Sequence, residues 1–123
     1  MPDLAQNYRR LQNALSACAV QSGHEVRLLA VSKTQTPEQI RLCADLGQKA
    51  FGENYVQEAL EKITVLRQLA LEWHLIGPLQ SNKCPAAAAH FDWVQTVDRE
   101  KIIKALDQYR PETSPPLNVL IQV

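Results

Sequence analysis

Lys33 is the residue whose type and setting are best suited to chemistry. It follows the mostly apolar run Val26-Arg27-Leu28-Leu29-Ala30-Val31 and sits in Ser32-Lys33-Thr34. A lysine at the mouth of a buried strand is partly desolvated. Desolvation disfavours the ammonium and frees the amine to attack an aldehyde. A lysine that snorkels to solvent at a strand end fits the same pattern and is the commoner case. His74, beside Trp73, is either a pocket residue that stacks on a ligand or a core histidine with its hydrogen bonds satisfied. Glu53 and Asn54 read as helix caps or as pocket groups. Gln80, Ser81 and Asn82 read equally well as a helix start.

Other chemistries find little support. No GxGxxG or P-loop run occurs, and no HxxE or HxxxH pair points to a metal. Cys18, Cys43 and Cys84 are dispersed and odd in number, against both a disulfide framework and a zinc site. Cys84 stands at a possible helix start, which can lower a thiol pKa, but no histidine is placed to activate it. Thirteen basic residues balance thirteen acidic ones, giving no electrostatic reason to expect nucleic acid or an anionic membrane. The first residues lack the features of a signal peptide, and no apolar stretch could span a bilayer. A cytoplasmic, soluble protein is expected. With 123 residues, 46% hydrophobic and 21% charged, the chain can build one domain with a real core.

The elements that would position these groups alternate in period. Leu4, Tyr8, Leu11, Leu15 and Ala19 define an opening amphipathic helix. Strands are expected at Val26–Val31, Lys49–Phe51, Trp73–Ile76, Asp92–Val97 and Leu117–Val123. Helices are expected between them. Thr36-Pro37-Glu38-Gln39 supplies a capping box with proline in the first turn, and Gly47 can end that helix. The next helix would show Val56, Leu60, Ile63 and Leu66 on one side. A third would run from about Pro85 to His90, and a fourth, capped by Asp98, would carry Ile102, Ile103 and Leu106.

Alternating strands and helices predict right-handed βαβ crossovers and a parallel sheet. Two architectures fit: an open doubly wound sheet, or part of a (β/α)8 barrel, which needs roughly 200 residues when complete. Length favours the first. The last strand, with no helix after it, favours the second. In either case the groups following the strands converge on one rim: Ser32-Lys33-Thr34, Gly52-Glu53-Asn54-Tyr55, Gly77 to Lys83, and Asp98.

Three segments add a resemblance. Leu28-Leu29-Ala30-Val31-Ser32-Lys33-Thr34, Phe51-Gly52-Glu53-Asn54-Tyr55-Val56-Gln57-Glu58 and Trp73-His74-Leu75-Ile76-Gly77-Pro78-Leu79-Gln80-Ser81-Asn82-Lys83 resemble the pyridoxal 5′-phosphate (PLP) homeostasis protein family in order and spacing. Phe91-Asp92-Trp93 and Leu117 to Val123 look like the following strands of that family. The resemblance implies an α/β fold, the N-terminal portion, about five strands, of a PLP-type (β/α)8 TIM barrel of the alanine racemase N-terminal type, with residues 1–123 forming a partial PLP-binding barrel domain. It implies PLP held as a Schiff base on Lys33, with Asn54, His74, Ile76 and Gly77 lining the cofactor site. It implies PLP storage or delivery rather than catalysis, so no catalytic residue and no metal ligand are assigned. PLP-dependent apoenzymes are the implied recipients.

The sequence departs from the family at Gln35, where many members have a second lysine, and at Pro85 and Ala87. Family members are about twice as long. The remaining part would carry the phosphate-binding loops and the arginine facing the pyridine nitrogen. Two other functions compete. A PLP-dependent racemase needs a base on each face of the carbanion, and only Lys33 is identifiable. A truncated chain without independent activity would expose an apolar last strand and tend to self-associate.

Overall fold

The computed structural model describes residues 3–123. Five parallel strands form one sheet: β1 (Ala30–Val31), β2 (Ala50–Glu53), β3 (Glu72–Leu75), β4 (Trp93–Val97) and β5 (Asn118–Ile121). Their spatial order is β1-β2-β3-β4-β5. This order decides between the two architectures. A doubly wound sheet reverses direction at a switch point and carries helices on both faces. A sheet that always advances the same way, through right-handed crossovers, keeps every crossover helix on one face. That is the arrangement of a barrel wall.

The helices are α1 (Leu4–Ser22), α2 (Pro37–Asp45), α3 (Val56–Val65), α4 (Cys84–His90) and α5 (Glu100–Tyr109). The expected capping box of α2 is present. Thr36 Oγ1 accepts from the Gln39 amide, and Gln39 Oε1 accepts from the Thr36 amide. Gly47, at φ +110°, follows that helix in a conformation that favours glycine. Pro85 lies in the first turn of α4. α1 starts on an Asp3 cap and ends at Gly23.

The core lies between the sheet and its helices. Phe51 and Trp73 are in register on β2 and β3, with ring centroids 5.9 Å apart. They join Leu75, Val94 and Val97 from the sheet, and Ile40, Ala59, Ala87, Ala88, Ile102 and Leu106 from the helices. Residues alternate along each strand, so Gly52, His74 and Trp93 point to the opposite, helix-free face.

Four local expectations are corrected. β1 holds only Ala30–Val31, because Val26 is exposed, Arg27 reaches out to Glu72, and the Leu28 carbonyl accepts from the Gln48 side chain instead of a strand. β2 runs on through Gly52 and Glu53, so Glu53 is a buried strand residue and not a rim group. Neither Glu53 nor Asn54 caps α3; its N-cap is Tyr55, with no side-chain bond. Asp98 does not cap α5 either; Arg99 is the N-cap and Asp98 pairs with the Arg99 guanidinium at 2.9 Å.

Candidate functional site

The C-terminal ends of β1, β2 and β3 share one rim, and the β1–α2 turn carries Lys33 on it. Lys33 is exposed, so the desolvation expected at the strand mouth is absent. Its amine has no hydrogen-bond or ion-pair partner among the described residues. The turn itself is tightly held. Thr34 is β-branched, yet adopts φ +63°, a left-handed conformation costly for such a residue. Its hydroxyl donates to the Lys33 carbonyl at 2.6 Å, and its amide donates to Glu58 Oε1 at 2.5 Å.

Beneath the turn lies an ion cluster. Glu53 is fully buried and Lys62 is 4% exposed. The Lys62 ammonium has three protons and meets three acceptor groups. These are the Glu53 carboxylate at 3.0 Å, Glu58 Oε1 at 2.9 Å and the Ser32 carbonyl at 2.7 Å. The Ser32 hydroxyl also donates to the Glu53 carboxylate. The Lys62 hydrogen bond holds the Glu58 carboxyl below its ordinary pKa, aided by the Thr34 amide and opposed by partial burial. Glu58 and Lys62 are the residues that sequence reasoning missed. Val56, Ala59, Lys62 and Leu66 form the buried stripe of α3 and its end, whereas Leu60 and Ile63 are only half-buried. A lysine three residues from Ala59 on a core-facing stripe was the available signal, since a buried charge needs a partner.

On the next rim segment, Asn54 and Gly77 are pressed together. A Cβ placed on Gly77 would lie 2.2 Å from the Asn54 carbonyl oxygen, so only glycine fits. The Gly77 carbonyl is pinned from the other side by the Thr96 hydroxyl at 2.7 Å. Asn54 Oδ1 is buried and has no hydrogen-bond partner, the one such side-chain atom found among the described residues. An orphaned buried polar atom calls for a partner.

His74 and Ile76 face the helix-free side. Ile76 packs over Gly52, where an added Cβ would meet its Cδ1 at 3.1 Å. His74 is 7% exposed, and its ring stacks on Trp93 with centroids 5.4 Å apart and planes within 5°. Its Nδ1 lies 2.9 Å from Gln95 Nε2 and its Nε2 lies 2.6 Å from Glu72 Oε1. With the amide donating to Nδ1, the ring proton sits on Nε2 and is donated to Glu72. Both ring nitrogens are thus satisfied within the protein. Lys33 and Asn54 are rim groups, His74 and Ile76 are wall groups, and Gly77 makes the close approach between strand ends.

Three other features lie apart from the rim residues. Between α1, β1 and α2 is a cavity of about 550 Å³, lined mainly by apolar side chains such as Leu11, Leu28, Leu29 and Ile40. It includes none of Lys33, Asn54, His74, Ile76 and Gly77. Cys84 is buried, and burial pushes its thiol pKa up despite the nearby Arg99 charge. No described helix is long and apolar enough to cross a membrane.

The geometry has counterparts in known proteins. A pyridoxal phosphate homeostasis protein of Escherichia coli (strain K12) is 49% identical over 129 residues, covering 100% of this chain and 55% of that protein. One of the same description from Pasteurella multocida (strain Pm70) is 52% identical over 123 residues, covering 98% of this chain and 52% of its own length. The chain thus spans about half the length of the curated relatives it matches. Among solved structures, PipY of Synechococcus elongatus PCC7942 with PLP bound matches at TM-score 0.70 and 38% identity, over 87% of this chain and 48% of PipY. PipY without PLP matches at TM-score 0.76 and 40% identity, over 87% and 47%. The five-stranded sheet is therefore the N-terminal portion of a PLP-type (β/α)8 barrel. Residues 2–123 match the family described as alanine racemase, N-terminal domain, and the chain belongs to that family.

Proposed function

We propose that this chain supplies the lysine-bearing wall of a PLP-binding barrel that serves intracellular PLP homeostasis, with Lys33 as the attachment point. The observation that carries this reading is the pairing of a free amine at the end of β1 with an orphaned, buried amide oxygen on Asn54 at the end of β2. Bound PLP supplies an aldehyde that condenses with a lysine amine, with loss of one water. The chain's own residues do the rest. Gly77 lets the β2 and β3 ends close on each other, which fixes Asn54. Asn54 offers a polar contact away from bulk water. Ile76, His74 and Trp93 form a wall of apolar and aromatic surface of the kind that packs against a planar ring.

The relatives named for PLP homeostasis, and PipY with PLP bound, support this reading at 38–52% identity. The role is binding and delivery in the cytoplasm, with PLP-dependent apoenzymes as recipients, and no catalytic residue. The exposed β5 residues Val119, Leu120 and Ile121 make self-association through that strand part of the same reading.

Adding PLP to the chain and recording the visible absorption band, followed by borohydride reduction and mass spectrometry, tests the proposal. A stable adduct of one PLP on Lys33, lost in Lys33→Ala, is the expected result. No adduct on the unmutated chain overturns the reading for this chain. Racemisation of alanine by the PLP-treated chain, abolished in the same variant, replaces it with a racemase-like enzyme.

A further inference from the structure

Lys33 lies between two peptide groups that are both tied to the same ion cluster. The carbonyl before it, that of Ser32, accepts from Lys62 at 2.7 Å. The amide after it, that of Thr34, donates to Glu58 at 2.5 Å. Lys62 and Glu58 bind each other at 2.9 Å, one turn apart on α3, so the two ties form one clamp. Glu53, fully buried on β2, anchors the clamp to the sheet.

We infer that Glu58 and Lys62 are positioning residues that hold the Lys33 turn in a strained, pre-set shape for the incoming aldehyde. The inference rests on the PLP reading above and deepens it. Thr34 explains why a clamp is needed. A β-branched residue at φ +63° relaxes to negative φ unless something holds it. The Glu58 carboxylate holds the peptide plane after Lys33 through the Thr34 amide, as Lys62 holds the plane before it through the Ser32 carbonyl, so the two charge-assisted ties fix the backbone of Lys33 beside the strained Thr34. Loss of either tie would free a peptide plane next to Lys33 and re-aim its side chain. Pre-setting the turn removes part of the ordering cost of forming the covalent link. Neither Glu58 nor Lys62 touches the cofactor in this account.

The test compares Glu58→Ala with Glu58→Gln in the whole chain. Glu58 has a partly exposed side chain, so its loss leaves the core intact. Glutamine keeps an acceptor for Thr34, whereas alanine does not. Hydrogen exchange of the Thr34 amide, read by NMR without any cofactor, should speed up roughly tenfold in Glu58→Ala and stay within about threefold in Glu58→Gln. Borohydride-trapped PLP on Lys33 should form more slowly by a similar factor in Glu58→Ala, with recovery in Glu58→Gln. A folded Glu58→Ala chain with unchanged exchange and unchanged trapping overturns the inference. So does faster exchange with unchanged trapping, since the clamp would then be structural only. If the unmutated chain forms no adduct, the PLP reading falls by itself, and unchanged Thr34 exchange would sink the clamp separately. The double variant Glu53→Gln, Lys62→Met removes the anchor without leaving a lone buried charge. Trapping at the unmutated rate in that folded variant would overturn the role of Lys62.

Discussion

Gly77 and Asn54 approach so closely that a methyl group on the glycine would overlap the asparagine carbonyl oxygen at 2.2 Å. The obstacle is backbone, not the end of a flexible side chain. Gly77→Ala must therefore push the β2 and β3 ends apart. We expect a loss of about 1–3 kcal/mol, as for overpacked interiors. Thermal or urea unfolding measures it. Because Asn54 moves with the clash, PLP uptake should weaken as well, and a Gly77→Ala chain of normal stability and normal uptake would contradict the contact.

The Glu53–Lys62 pair makes a sharper prediction about stability. Lys62→Met alone leaves the fully buried Glu53 carboxylate without its cation, which costs about 3–5 kcal/mol. Glu53→Gln together with Lys62→Met removes both charges and should recover much of that loss. Urea midpoints of the single and double variants give the comparison. Equal destabilisation in both would mean that packing, not charge, sets the cost.

The α2 start shows what the sequence made legible. Thr36, Pro37 and Gln39 carry their structure locally, and the capping box formed as expected. Strand order was not local in this sense. The repeat fitted two architectures, and only the pairing of each strand with its predecessor separated them. At the site, Lys33 and Asn54 could be placed on the rim because they lie within two residues of strand ends. Lys62 could not, because its partners lie nine residues back on β2 and thirty residues back at Ser32. Glu53 was misplaced for a related reason. A carboxylate near a strand end reads as a cap, and its burial depends on a cation from another element. The exposure of Lys33 likewise depends on how its turn folds, not on the apolar run before it.

Glu58 gives the turn a pH dependence with a defined sign. Its carboxyl pKa is held down, chiefly by the Lys62 hydrogen bond and also by the Thr34 amide. A group whose folded pKa is lowered stabilises the fold above its unfolded value, about 4.3 for glutamate, and loses that contribution as pH falls through the folded value. The Thr34 amide should therefore be protected at neutral pH and lose protection only as pH falls below the ordinary glutamate range. In Glu58→Gln the profile across that range should be flat. Amide exchange or Thr34 chemical shifts followed during acid titration check this, and an identical acid step in the variant would assign the effect elsewhere.

The three thiols should separate by burial. Cys18 is exposed on α1, whereas Cys43 and Cys84 are buried and burial pushes both of their pKa values up. A thiol reagent acts on the thiolate, so burial slows Cys43 and Cys84 both by blocking access and by raising their pKa values. At neutral pH one equivalent should react quickly, with mass spectrometry placing it on Cys18, and two more should follow only on unfolding. Fast labelling of Cys84 in the native chain would mean that α4 opens locally.

The last prediction concerns β5. It is an edge strand, paired only with β4 among the described residues, and Val119, Leu120 and Ile121 are 43%, 47% and 63% exposed. Its outer backbone groups have no strand partner among the described residues, and with its apolar side chains they make a template for another strand. Lysine on an edge strand opposes such pairing through charge repulsion and the cost of desolvating an ammonium. Ile121→Lys should thus lower the mass-average size seen by sedimentation or light scattering at a given concentration. Because Ile121 is the most exposed of the three, the fold itself should tolerate the change within about 0.5 kcal/mol. A chain that is monomeric both before and after the substitution would show that this edge does not recruit a second copy.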